Sequence, residues 1–337
     1  MSARIIYYRL GTMDRYEGKK YHTTIDGVMK TISKYGIAII PKLLDSKETT
    51  EMIDSMWSYL ETVSKNFEIP IDRNYKTTWI QFKELWPMYH MQMQHWKIGH
   101  TQFVWNLRQN PKVLEVFSKI WGVSPEELLV SFDGASVHMP PEITKIGWEQ
   151  GIPKLHCDQR LSNNDFECIQ SWVTANDINP GDATIAFYER SHTLHKEFAE
   201  TFGYETKKDD WHALNDTERD FYTKRCGKYK SITCPAGSMV LWDSRTIHCG
   251  QRPLASRSSM NFRLVVFLCY MKRSCITKAN LEKKKKAFNE MRMTSHWPCK
   301  VKLFGKKPYT RGNTLEDISD ISPPVLSSIG RRLAGFD

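Results

Sequence analysis

An antiparallel β-sandwich or barrel with helices packed around it is the fold class that this sequence predicts, and three observations carry the expectation. From about Leu128 onward, the segments LLVSFDGASVHM, ECIQSWVTAND, ATIAFY, SMVLWD and FRLVVFLCY are strand-length and rich in β-branched and aromatic residues. They are separated by Pro, Gly, Asn and Asp, and no helical period intervenes until about residue 195. That pattern argues against a doubly wound parallel sheet, in which helices alternate with strands. Helical periodicity collects instead before residue 128 and after Lys272, so the class is mainly β with flanking α.

In chain order, TTIDGVMKTISKYG predicts a short amphipathic helix stopped at Gly36, and IAII (37–40) a strand closed by Pro41. Asp45, with Glu48 three residues on, has the spacing of a capping box. The helix that follows carries Met52, Ile53, Met56, Trp57, Leu60 and Val63 at helical period. Asn110-Pro111 opens another helix, VLEVFSKIW, and Gly122 ends it. After the strands, TKANLEKKKKAFNEM predicts a helix with Leu281, Phe288 and Met291 as its buried side and lysines 283–286 on a solvated face. An irregular tail containing SPP closes the chain. The expected organisation is a helical support region (1–127), a β core (128–271) within the same domain, and a basic C-terminal extension (272–337).

Composition narrows the function classes. Hydrophobic residues at 40% and charged residues at 26% are those of a globular protein able to bury a large core. The opening MSARIIYYRLGTMDR lacks the charged-then-apolar pattern of a secretory leader. AGFD matches no common C-terminal address, peroxisomal or otherwise. Runs such as LVVFLCYM are far short of a membrane span. The expectation is an intracellular protein, cytoplasmic or nuclear, with no membrane partner. Eight cysteines contain no CxxC pair, so reduced thiols are expected rather than a thiolate zinc site. The net charge of +10 is unevenly placed: residues 271–337 hold 15 Lys/Arg against 6 Asp/Glu, a net +9, which leaves +1 for the other 270. Lys300, Lys302, Lys306, Lys307 and Arg311 with the lysine run could meet phosphates, of nucleic acid or of a coenzyme A-type substrate, although a solvated helix face is the simpler expectation.

The chemistry is concentrated in LHCDQR (155–160). An H-x-D pair alone is near the chance rate. On a strand, however, His156 and Asp158 would share a face about 6.6 Å apart, and a metal fits between an imidazole and a carboxylate so placed. A third ligand must come from another strand, and His248, in PAGSMVLWDSRTIHCG, follows a turn and a strand 92 residues on. Two histidines and one carboxylate on one face of a metal make the ligand set of non-haem Fe(II) sites. Cys157 and Gln159 should face away, leaving Arg160 as the nearer candidate for substrate contact. Arg263, 15 residues after His248, is out of place in a strand unless its guanidinium meets an anion such as a carboxylate. Arg257 competes with it at a shorter spacing.

Together, HCDQ, QSWVTAND, ATIAFYERSHTLH, PAGSMVLWDSRTIHCGQ and FRLVVFLCY resemble the phytanoyl-CoA dioxygenase family of Fe(II)/2-oxoglutarate oxygenases, over roughly residues 128–271 and with a weaker echo in YGIAIIPKLLD. The resemblance implies a double-stranded β-helix (jelly-roll, cupin-like) core with N-terminal helices. It implies Fe(II) ligation by His156, Asp158 and His248, with 2-oxoglutarate and O₂ as cosubstrates, Arg263 on the far carboxylate of 2-oxoglutarate and Trp172 lining its pocket. The expected activity is a dioxygenase hydroxylating a small-molecule or acyl-type substrate, with succinate and CO₂ as co-products. A carboxylate at 158 disfavours a halogenase, since no ligand position is vacated. Two departures stand out: Arg190 replaces the usual glycine of the family's Gly-Ser-His loop, and the interval from His248 to the arginine is long.

Two other function classes remain open at this level. One is an oxygenase acting on nucleic acid or protein through the basic extension, and the other a non-catalytic jelly-roll binding protein. His192 and His195 are expected to be structural, and His90, His95 and His100 to cap the core. Asp243 is expected to make ordinary hydrogen bonds.

Overall fold

The computed structural model describes residues 15–312, 314–316 and 320–337; the leader expectation for residues 1–14 lies outside them. Among these residues the strands, in chain order, are β1 (Tyr16–Glu17), β2 (Ile37–Ile40), β3 (Gln92–Met93), β4 (Leu128–Val130), β5 (Ala135–His138), β6 (His156–Cys157) and β7 (Ile169–Thr174). They continue with β8 (Thr184–Phe187), β9 (His212–Ala213), β10 (Lys230–Ile232), β11 (Met239–Asp243), β12 (His248–Gln251) and β13 (Arg263–Lys272). They form two sheets. One runs β1-β10-β8-β12-β6-β9, and the other β2-β11-β7-β13-β5-β3 with β4 added to β13. All pairings are antiparallel except β1 with β10. Between β5 and β13 the chain passes repeatedly from one sheet to the other: β5, β7, β11 and β13 lie in the second, and β6, the successive β8, β9 and β10, and β12 in the first.

Period-2 alternation sorts the side chains into layers. Between the sheets lie Trp172, Ile185, Phe187, Ile232, Val240, Trp242 and Val265. On the outer face of the second sheet, Ile169, Val173, Leu241, Leu264, Val266 and Leu268 pack against the N-terminal helices. Helices His195–Phe202 and Asp216–Cys226 cover the other sheet through Phe198, Ala199, Phe221 and Tyr222.

The flanking helices have the predicted causes. Helix Val28–Tyr35 ends where Gly36 takes a left-handed φ of 83°. Helix Ser46–Val63 begins in a complete capping box, with the Asp45 carboxylate accepting from Glu48 N and the Glu48 carboxylate accepting from Asp45 N, a device worth about 1 kcal/mol. Its Met52, Met56, Trp57, Leu60 and Val63 are buried in the main core. Helix Pro111–Trp121 carries Asn110 as its cap and Gly122, at φ 62°, as its stop.

The C-terminal segment departs from expectation in two places. The tail contains a helix, Ser328–Ala334, capped by Ser327 and ended by Gly335 at φ 103°. Its Leu333 and Ala334 enter the main core. In helix Lys278–Asn289 the lysine run does not lie on one solvated face: Lys284 is 1% exposed. Successive helical residues turn by about 100°, so four in a row point to all sides of the helix and cannot share one solvated face. The Lys284 ammonium donates to the Val130 carbonyl and lies 4.1 Å from the centre of the Phe132 ring.

Burial pushes the Lys284 pKa down to about 7, and the nearby Arg108 guanidinium adds to the shift. Between that value and the unfolded lysine value of about 10.4, the unfolded chain holds a proton that the folded protein has released. Stability therefore rises with pH across that window. Comparing about pH 7.5 with about pH 9.5, the unfolding free energy of the wild type relative to Lys284→Met should increase by about 2–3 kcal/mol. Denaturant titrations at the two pH values measure this, and a pH-independent difference would overturn it.

Candidate metal centre

The short strand β6 places His156 and Asp158 on one side, half-buried, and Leu155, Cys157 and Gln159 on the other, fully buried. β12 runs antiparallel beside it with His248 in direct register opposite His156. The two imidazoles are 4.7 Å apart between ring centres. Asp158 Oδ2 lies 3.4 Å from His248 Nε2 and 3.7 Å from His156 Nε2. One ligand atom from each of the three residues falls within 4.8 Å of the others. Metal–ligand bonds near 2.1 Å call for donor atoms roughly 3 Å apart, close to what these side chains present.

Backbone carbonyls fix the orientation of both rings. His156 Nδ1 is 2.9 Å from Lys154 O, and His248 Nδ1 is 2.9 Å from Thr246 O. A carbonyl only accepts, so each Nδ1 carries a proton and each Nε2 is the atom turned toward Asp158. Gln170 Nε2 donates to Asp158 Oδ2 at 2.9 Å and holds the carboxylate in place. Trp242 packs 5.2 Å from His248, and Trp211 5.9 Å from His156, between ring centres. Burial alone would raise the Asp158 pKa, but the neighbouring His156, His296 and His248 reverse this and hold it well below the usual carboxylate range. Burial likewise opposes protonation of His156, and the Asp158 carboxylate outweighs it, raising the His156 pKa.

The two competing arginines differ sharply. Arg257 is already satisfied: Nε and Nη2 donate to the Glu142 carboxylate at 2.7 and 2.6 Å, and Nη1 donates to Asp182 Oδ1 at 3.1 Å. Arg263 opens β13 at 6% exposure, and its Nε and Nη1 find no protein partner. Its guanidinium lies 5.9 Å from the Trp172 ring centre, and burial lowers its pKa to about 10. Its cross-strand partner on β5 is His138, whose Nδ1 is also unpartnered. Ser136 Oγ, Trp242 Nε1 and Gln170 Oε1, on the same inter-sheet side by register and alternation, are unpartnered as well. Buried polar groups are normally paired. Five residues with orphaned atoms on one interior wall therefore point to a polar ligand, and an unpaired guanidinium among them suits an anion.

Of the other histidines named from the sequence, His90 is exposed rather than capping the core, and the remaining four are tied to backbone carbonyls. His192 and His195 bond backbone carbonyls of Ser33 and Arg160, His95 that of Gly305, and His100 that of Arg292. Asp243 is chelated by the Arg245 guanidinium, and Arg160 is ion-paired with Asp210 at 3.1 Å. Arg190, at the family's glycine position, adopts the left-handed φ of 66° that favours glycine. Sequence reasoning missed Gln170 and His296. Gln170 was findable, because it sits two residues before Trp172 on the same strand face. For His296 no spacing or periodicity gave a signal.

The chain resembles the phytanoyl-CoA dioxygenase family. No family model matches it. Ava biosynthesis cluster protein O of Aspergillus versicolor is 25% identical over 272 residues, which cover 78% of this chain and 83% of that protein. Among solved structures, GlcNAc Inducible Gene 2 of Candida albicans is similar with a TM-score of 0.57 at 11% identity, covering 99% of this chain and 83% of that one, so the fold is shared. HygX of Streptomyces hygroscopicus, solved with nickel and 2-oxoglutarate bound, aligns with a TM-score of 0.43 at 15% identity, over 74% of this chain and 87% of that one. Among the described residues, no helix is long and apolar enough to cross a membrane.

The contrast between the arginines is testable without any ligand. Arg263→Met removes a buried unpaired cation and should raise the melting temperature of the ligand-free protein by a few degrees. Arg257→Ala strands Glu142 and Asp182 and should cost about 3–5 kcal/mol. Thermal melts of the two variants showing the same sign of change would contradict the difference in pairing.

Proposed function

We propose that this protein is an Fe(II)- and 2-oxoglutarate-dependent dioxygenase that hydroxylates a small molecule, built on a double-stranded β-helix. The observation that carries the reading is the coexistence, between one pair of sheets, of a His-Asp-His cluster and a buried arginine with no protein counter-ion. The distribution of β5 to β13 over two mostly antiparallel sheets supports the jelly-roll assignment. We take residues 128–271 as its core, 1–127 as support and 272–337 as the C-terminal segment. A relative named for a biosynthesis cluster supports a small-molecule substrate over a macromolecular one.

In this reading His156, Asp158 and His248 would hold the metal, a two-histidine, one-carboxylate set suited to Fe(II). Bound there, iron supplies the redox chemistry that turns 2-oxoglutarate, O₂ and substrate C–H into succinate, CO₂ and substrate C–OH. The protein's own part is orientation. Lys154 O and Thr246 O fix the imidazole tautomers, and Gln170 steers the carboxylate. Asp158 stays ionised at neutral pH, as a ligand must. Arg263 binds the far carboxylate of 2-oxoglutarate, gaining the partner it lacks, while Trp172 packs beside it and keeps water from the pair.

Asp158→Ala and His248→Ala should each abolish Fe(II)-dependent succinate formation, followed by mass spectrometry, while undiminished turnover in either would sink the assignment. Arg263→Met should raise the KM for 2-oxoglutarate by roughly 30- to 1000-fold, the equivalent of losing one desolvated charge pair. An unchanged KM would move the cosubstrate elsewhere.

A further inference from the structure

His296 belongs to the C-terminal segment, and beyond its electrostatic effect on Asp158 it has no role in the site described so far. Its backbone is clamped on both sides. Thr294 N donates to Phe132 O and Thr294 Oγ1 accepts from Phe132 N, both at 3.0 Å, and Ser295 N donates to Lys302 O at 2.9 Å. Beyond it, Trp297 and Cys299 are buried against Leu129, Cys168 and Met271. So held, His296 lies close enough to Asp158, His248, His156 and Asp210 to interact with them electrostatically. It is not one of the clustered ligand groups. Its Nε2 is buried with no protein partner, a costly state unless something else supplies one.

Around Asp210, two cations and two carboxylates pair with one another. Arg160 pairs with Asp210 at 3.1 Å, and Lys300 with Glu167 at 2.5 Å and with Asp210 at 3.6 Å. Beside them Trp211, next in chain to β9, stands 54% exposed with its ring 5.9 Å from that of His156. A large indole left half in water at the edge of a buried polar site offers a stacking face to a flat ligand. A multiply charged phosphate would find no surplus cation in this group.

We infer that His296 is a substrate-binding residue: it hydrogen-bonds a hydroxyl or carbonyl of an uncharged, ring-bearing small molecule that stacks on Trp211. The inference rests on the oxygenase reading above, which supplies the reacting centre that the substrate must reach. The C-terminal segment thus furnishes one wall of the substrate site and sets a preference against phosphorylated and coenzyme A-linked compounds.

The test uses the full chain loaded with Ni(II) and 2-oxoglutarate, and 2-naphthol as probe, with 2-naphthyl phosphate as its charged counterpart. Titration calorimetry first gives the Ni(II) and 2-oxoglutarate affinities; a wild type that binds neither defeats the oxygenase reading itself, independently of His296. Ligand-observed NMR titrations then give the probe affinities. His296→Ala should weaken 2-naphthol at least tenfold and leave the Ni(II) and 2-oxoglutarate affinities within twofold of wild type. His296→Gln, which keeps a hydrogen-bonding side chain and guards against a folding defect in the alanine variant, should recover part of the loss. Trp211→Ala should weaken 2-naphthol as well. The inference is overturned if 2-naphthol does not bind the loaded wild type or binds the His296→Ala variant equally well. It is also overturned if 2-naphthyl phosphate binds more tightly than 2-naphthol, or if the loss in His296→Ala falls on Ni(II) or 2-oxoglutarate.

Discussion

The backbone register that sets β12 against β6, with His248 opposite His156, is the constraint on which the site depends. Side chains alternate along a strand, so a slip of one residue would exchange His156 and Asp158 for Cys157 and Gln159. The register is held from both sides. Inward, the imidazoles are tied to carbonyls two residues back along the chain, just before their strands. Outward, Cys157 and Cys249 are buried with Phe198 and Tyr222 under the covering helices, and Gln159 Oε1 accepts from Ser244 Oγ at 2.7 Å. Moving the outward set inward would expose apolar surface to a polar cavity and strand buried hydrogen-bonding groups. The hydrophobic packing of one face thereby fixes the chemistry of the other.

That geometry carries a standing cost. Arg263, His138, Ser136, Trp242 and Gln170 present unpaired polar atoms to one interior wall, in a protein whose Arg257, a few residues away in sequence, is fully paired. Nothing in the backbone prevents an acidic partner for Arg263; the fold supplies two to Arg257. A buried guanidinium kept waiting in this way is destabilising in the ligand-free state and becomes favourable only when an anion arrives. Stability is being given up at the place where binding needs it.

Much of this was legible in the sequence because the relevant signals are local. The Gly-turn-strand-His segment, the Asp45 capping box and the glycine stops at 36 and 122 each involve a few residues whose geometry is set by backbone chemistry, and each stands where its pattern puts it; of H-x-D, His156 opens the two-residue β6 and Asp158 lies just past its end. Whether Arg257 or Arg263 is the one left unpaired was not legible, because the answer depends on Glu142 and Asp182, which are 115 and 75 residues from Arg257. His296 was hidden for the same reason: its neighbours Asp158 and His248 come from distant strands, and its own segment has no period to reveal which way it faces. The Ser328–Ala334 helix was hidden by brevity, since seven residues give too little periodicity to stand out from a tail with two prolines.

The C-terminal charge illustrates why a residue count differs from a surface. Residues 271–337 carry a net +9, which on its own suggests a docking patch for phosphates. Several of those cations are used within the protein. Lys284 is buried on Val130 O, Arg292 donates to Phe304 O, and Lys300 is shared between Glu167 and Asp210. Arg273 donates to Arg332 O in the last helix and to Gly335 O and Phe336 O just beyond its end. A segment poor in regular structure leaves many carbonyls without backbone donors, and long cationic side chains can supply them. The basic composition is in this respect a consequence of folding an irregular segment back onto the β core, the same packing that brings His296 to the metal centre.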